Sequence, residues 1–215
     1  MSRYHGVIVR DLPTDLALPL PAGEPWWYWL GDRPALDFVN TLRERWARRV
    51  ETLTSPGELG RWLVQANLLD AEPRRVPRAV LGEARELREA IDALVQATVD
   101  NARSPRAATT VVDDWLVHAG ARPQLTLDGA GVPVLGQRAA ADSPRRALGT
   151  IALDAAEMLG TPEQRERVRV CASATCSARF YDRSPAGRRR WCSMAACGNE
   201  AKARRFRERA KAMAS

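Results

Sequence analysis

Apolar residues recur at helical spacing through most of this chain. Leu36, Val39, Leu42 and Trp46 follow one another at steps of three or four, which predicts a helix from Ala35 to about Arg49. Ser55-Pro56-Gly57-Glu58 reads as a second helix start, with Ser55 as cap, Pro56 in the first turn and Glu58 in the capping-box position. Leu59, Trp62, Leu63 and Ala66 form its stripe. A third helix over roughly 77–101 carries Val80, Ala84, Leu87, Ile91, Leu94 and Val95. Ser104-Pro105 opens a fourth that ends near Gly120. Ser143-Pro144 opens a fifth, with Leu148, Ile151, Ala155 and Leu159 on one face and Gly160 as its stop. Thr161-Pro162-Glu163 starts one more turn.

Two stretches leave this period. Trp26-Trp27-Tyr28-Trp29-Leu30, ahead of Gly31-Asp32, reads as a buried strand. Leu125-Thr126-Leu127 and Val132-Pro133-Val134-Leu135 flank Asp128-Gly129-Ala130-Gly131, the pattern of a β-hairpin. Residues 1–25 hold five prolines or glycines after Asp11 and read as an irregular lead-in, with a short strand at Val7-Ile8-Val9. The expected fold class is mainly α with small β elements: a helical domain over 26–160, then a separate C-terminal unit over 165–212.

Composition adds bounds. The chain has 215 residues, 45% hydrophobic and 27% charged, so extensive disorder is not expected. No run approaches the about 18 apolar residues of a membrane span, and the N-terminus lacks a signal-like apolar core. A cytoplasmic location is expected, where disulfides are rare. The net charge is +7, and it is segregated: residues 165–215 hold 14 Lys/Arg against 4 Asp/Glu, whereas the remainder is slightly acidic.

All four cysteines lie in the same basic quarter. Cys171-x4-Cys176 is followed, after fifteen residues, by Cys192-x4-Cys197. Two pairs of equal spacing across a medium loop are a tetrahedral Zn²⁺ pattern, favoured over disulfides by compartment and by pairing. Four protein ligands leave no open coordination position, so the zinc is expected to be structural. Arg179-Phe180-Tyr181 and Arg188-Arg189-Arg190-Trp191 read as the two arms of a short hairpin around Ser184-Pro185-Ala186-Gly187. A helix is expected to start at Cys192 and carry Cys197, giving a treble-clef-like zinc finger with four cysteine ligands. Phe180, Tyr181 and Trp191 are expected to form a mini-core around the metal. Arg188, Arg189 and Arg190 precede Cys192; Lys202, Arg204, Arg205, Arg207 and Arg209 follow Cys197. This charge exceeds what a zinc–tetrathiolate centre of formal charge −2 offsets, so DNA is the expected partner through its phosphates.

Arg190-Trp191-Cys192-Ser193-Met194-Ala195-Ala196-Cys197-Gly198-Asn199, with the upstream Cys pair, resembles the CGNR zinc finger. Ala35-Leu36-Asp37-Phe38-Val39-Asn40-Thr41 resembles the opening motif of the ABATE domain that precedes this finger. The resemblance implies a helical N-terminal domain, the four cysteines as zinc ligands, and a transcription-regulating role of the kind frequent in actinobacteria. One departure stands out: the signature ends in Arg, and this chain has Glu200. A phosphate contact by that Arg is then absent or passes to Lys202 or Arg204.

Asp37, Asn40 and Thr41 fall at i, i+3 and i+4 of the first predicted helix. With Trp27 and Trp29 they are a candidate lining for a small-molecule pocket; the competing reading, which we favour, is hydrogen bonding within the domain. His5 and His118 lie in no nucleophile or metal motif, and no Gly-rich phosphate loop is present, so no catalytic residue is assigned. Two leading functions follow, beside a third in which the basic helix contacts an acidic protein. One is a DNA-binding regulator whose helical domain senses a ligand or forms a homodimer. The other is an enzyme or small-molecule binding protein of secondary metabolism, stapled by its finger.

Overall fold

The computed structural model describes residues 12–20, 26–120, 122–138 and 143–213. The strand expected at Val7-Ile8-Val9 lies outside them. Helix α1 spans Pro34–Val39, α2 Pro56–Gln65, α3 Arg78–Val99, α4 Arg106–Leu116, α5 Pro144–Gly160 and α6 Pro162–Arg165. Ser55 caps α2 by accepting from the Glu58 N–H at 3.2 Å, and Ser143 caps α5 by accepting from Arg146 at 3.3 Å. The predicted starts of α2 and α5 are therefore those observed. Helices α3, α4 and α5 pack on one another, α1 lies across α3 and α5, and α2 sits against α3. Leu36, Phe38, Trp62, Leu63, Leu87, Ile91, Leu148 and Ile151 are fully buried at the centre.

The first helix is much shorter than its apolar period suggests. It ends at Val39, and a tight antiparallel pair follows, β1 (Leu42–Arg43) with β2 (Val50–Glu51). Thr41 donates its hydroxyl to the Phe38 carbonyl at 2.7 Å, and its own carbonyl accepts from Thr52 N–H at 3.1 Å. Glu44 and Arg49 take positive φ, which no helix accommodates. Trp46, expected on the buried face, is 54% exposed. Local periodicity is overridden because Asn40 and Thr41 bond elsewhere in the molecule.

Residues 26–30 likewise form no strand, and no strand among the described residues pairs with them. Their alternation survives without a sheet. Trp27 and Trp29 pack into the helical core, and Trp29 stacks on Trp62 at 5.5 Å between centroids. Tyr28 and Leu30 pack instead against the cysteine cluster. One extended segment thus divides its side chains between two cores. Gly31 follows it, and a side chain there would collide with the Asp37 backbone at 2.6 Å. Asp37 Oδ1 accepts from the Gly31 N–H at 2.8 Å in return.

The predicted hairpin is present, with β3 (Arg122–Leu127) antiparallel to β4 (Pro133–Arg138). A last pair, β5 (Val168–Val170) with β6 (Arg179–Tyr181), opens the C-terminal unit. A π-helical turn over Met194–Gly198 leads into helix α7, Asn199–Met213.

Candidate metal centre and basic helix

The four sulfurs lie within 4.8 Å of one another. Cys176 to Cys192 and Cys192 to Cys197 are both 3.7 Å. Sulfurs at about 2.3 Å from one tetrahedral Zn²⁺ stand about 3.8 Å apart, so the donor set fits that ion in kind and in spacing. Cys171, Cys192 and Cys197 are buried and Cys176 is half-buried, and four thiolates fill a tetrahedral coordination sphere, which leaves no open position for a substrate. Bound there, zinc supplies folding free energy, not chemistry.

Two turns assemble the site. The strands β5 and β6 pair Val168 with Tyr181 and Val170 with Arg179, so Cys171 and Cys176 sit in the loop between them. The Cys171 N–H donates to Ala178 O at 2.9 Å, and Ala178 N–H points to Cys176 Sγ at 3.5 Å. This corrects the expected hairpin: Arg179–Tyr181 pairs with the strand ahead of Cys171, and Arg188–Trp191 is not a strand. Arg188–Trp191 delivers the second cysteine pair by a backbone bond from Ala172 N–H to Arg190 O at 2.8 Å. Asp182 fixes that approach by accepting from Ser184 N–H at 3.0 Å and Arg189 N–H at 2.8 Å.

The helix also starts later than expected. Cys192 precedes it, Ser193 caps the π-turn by accepting from Ala196 N–H at 3.3 Å, and Cys197 lies inside that turn. Gly198 N–H donates to Ser193 O at 3.0 Å, the wider bond that lets the turn bend around the sulfurs. Gly198 is packed by Met194, whose Sδ stands 2.9 Å from where a side chain would begin. Phe180 and Trp191 join the cluster around the sulfurs, whereas Tyr181 packs against the helical core.

Of the polar residues singled out near α1, Asn40 ties the two units together, whereas Asp37 and Thr41 bond within the helical domain. Asn40 donates its amide to Arg179 O at 2.9 Å and accepts from Arg179 N–H at 2.8 Å, so one side chain replaces a strand edge for β6. Thr41 accepts from Arg88 at 3.2 Å, and Arg88 in turn holds Glu51 through two contacts of 2.8 Å. Asp37 is buried, and burial pushes its carboxyl up to about 8; Oδ2 has no hydrogen-bond partner. Two cavities, of about 1,100 and 520 Å³, are lined by residues other than Asp37, Asn40, Thr41, Trp27 and Trp29.

Sequence reasoning missed several residues at this junction. Buried Arg179 reaches Asp92 on α3 at 2.6 Å, and Arg45 reaches the same Asp92 at 3.1 Å. Ser177 accepts from the Arg45 N–H at 2.8 Å. Burial pushes the Tyr28 phenol above its ordinary value, and the Arg43 guanidinium lies 4.2 Å over its ring. No spacing rule reaches across the separations involved, 132 residues for Arg45–Ser177 and 139 for Asn40–Arg179.

The basic residues divide. Arg189 is half-buried and committed locally, donating to Cys192 O at 2.7 Å and lying 5.0 Å from the Phe180 ring centre. Arg190 is exposed, over Trp191 at 5.2 Å, and Arg188 is exposed. Lys202, Arg204, Arg205, Arg207 and Arg209 are all exposed along α7. Arg204 has Glu208 at 3.8 Å, an exposed pair of small energetic weight. Residues 202–210 are exposed around the full circumference, so α7 leaves the finger without packing on the helical domain.

No helix among the described residues is long and apolar enough to cross a membrane. The chain matches none of the curated proteins. Residues 32–162 match the ABATE family, described as "Putative stress-induced transcription regulator", and residues 167–210 match the CGNR zinc finger. With the four-cysteine site and the helical unit already in place, these matches make the chain a member of the ABATE family that carries a CGNR zinc finger after its helical domain.

Proposed function

We propose that this protein is a DNA-binding regulator that presents α7 to phosphates. The observation that carries the reading is a basic helix anchored at one end by the four-cysteine site and exposed over residues 202–210, which none of the described residues covers. Fifteen residues span about 22 Å, enough to lie in or across a major groove. At 100° per residue, Lys202, Arg205, Phe206 and Arg209 share one stripe. Glu200 and Glu208 fall on the other side with Arg204 and Arg207. The acid that replaces the motif Arg therefore does not interrupt the Lys202–Arg205–Arg209 stripe. Arg188 and Arg190 flank it, while Arg189 serves the finger's own structure.

The zinc-loaded full chain is titrated by fluorescence anisotropy against random genomic duplexes over a salt series. The logarithm of the binding constant falls linearly with the logarithm of salt. Arg205→Ala with Arg209→Ala reduces the magnitude of that slope by about 2. Unchanged affinity and slope in this variant reject α7 as the contact.

A small-molecule role for the helical domain has one observation in its favour. The cavity of about 1,100 Å³ lies where α3, α4 and α5 meet β5, with Leu94, Val112 and Leu159 as apolar lining and Arg165 and Arg169 among its polar groups. That place is distinct from Asp37, Asn40 and Thr41. Ligand sensing is assigned to this cavity, tested by metabolite-dependent thermal shifts that Val112→Trp abolishes.

A further inference from the structure

We propose that the β3–β4 hairpin is a self-association surface through which two copies of this chain pack face to face. The register sets Leu125 opposite Leu135 and Leu127 opposite Pro133, so these four share one face. Leu125 and Leu127 are 69% exposed and Leu135 is 74% exposed. Gln124, Gly136, Thr126 and Val134 make the other face. None of these side chains joins the helical core. A two-stranded hairpin alone is marginal in water, and an uncovered apolar face of this kind marks an interaction site.

The chemistry selects a second copy as occupant. Between Arg122 and Arg138 the only charged residue is Asp128, in the turn. The face offers neither the cations that phosphate requires nor a charge pattern for an oppositely charged protein. An uncharged aliphatic face with a central Leu–Leu pair is its own complement, as a two-fold interface demands. It presents on the order of 400 Å² of apolar surface, so two copies bury on the order of 800 Å². That is the size of a weak, reversible dimer. The inference does not depend on the DNA-binding reading.

Sedimentation equilibrium of the zinc-loaded full chain, without DNA, tests it over roughly 1–200 µM, the range of a weak association. The average mass rises from one chain toward two. Leu125→Lys with Leu135→Lys holds it at one chain, with association weakened at least about tenfold. Gln124→Lys with Thr126→Lys, on the opposite face of the same strand, associates as the native chain does. Amide exchange across residues 123–136 of the native chain slows as concentration rises, a readout that needs no variant. A native chain that stays single at the highest concentration overturns the proposal. So does a leucine variant that associates like the native protein, or a single chain whose hairpin instead binds phosphatidylcholine vesicles.

Discussion

Among the described residues, the helical core buries thirty apolar side chains around Trp62, Leu87 and Ile151, whereas the cluster at the finger buries six, three of them the cysteines themselves and one, Tyr28, lent by the segment before α1. The first core has the size of an ordinary small domain. The second is far too small to offset the chain entropy of some 45 residues, so bound metal must supply the difference. The charges separate along the same line. The helical unit is slightly acidic and buries the arginine of several ion pairs, Arg45 and Arg88 among them, whereas the finger leaves most of its surplus cations in solvent. A stable unit that conceals charge is thereby joined to a conditional unit that displays it.

The strongest way to break that contrast is to remove the metal. Chelation, or Cys197→Ser, forfeits on the order of 10 kcal/mol of zinc-linked folding energy. Amide-exchange protection is then lost over residues 168–198 and retained in α3 and α5; loss of protection throughout would show that the two units fold as one. Trp62→Ala is the reciprocal experiment. It costs about 3–5 kcal/mol in urea unfolding of the helical core, while zinc stoichiometry in native buffer stays at one. Asn40→Ala attacks the seam. It strands a buried donor and a buried acceptor of Arg179, at about 1–3 kcal/mol each before relaxation; faster chelator-driven zinc release is the readout.

Asp37 gives an effect with a defined sign. Its folded carboxyl titrates near 8, above the usual carboxylate range, because burial disfavours the charge. The folded state therefore holds a proton that the unfolded state has lost. Stability from this group is complete below about pH 4, falls as pH rises and levels off above about 8, at a slope of about 1.4 kcal/mol per pH unit. Between pH 6 and 8 the urea midpoint drops in the native chain, and Asp37→Asn removes that part of the drop. An identical pH profile in the variant would place the titration elsewhere.

Much of the fold is written locally. Ser55 and Ser143 cap where their sequence context says they should, and the β3–β4 hairpin follows its Asp-Gly turn. The four sulfurs are legible from spacing alone, because metal geometry imposes that spacing. What is not legible depends on partners far along the chain. Nothing near Asn40 reveals that its amide is reserved for Arg179, so apolar spacing runs the first helix on past Val39. The arms of the finger are mispaired for a related reason. Arg179–Tyr181 could be matched with the segment after the turn or with the one before Cys171, and only the knuckle bond from Cys171 to Ala178 selects the latter.

Residues 27–30 lend alternate side chains to both cores, and this removes slack from the junction. Twisting the finger by one residue's worth would drag Tyr28 off the sulfurs and Trp29 off Trp62 at once. The protruding helix is thus carried like a rudder on a fixed post, its base held through Tyr28 and Leu30 to the same segment whose tryptophans are set in the helical core.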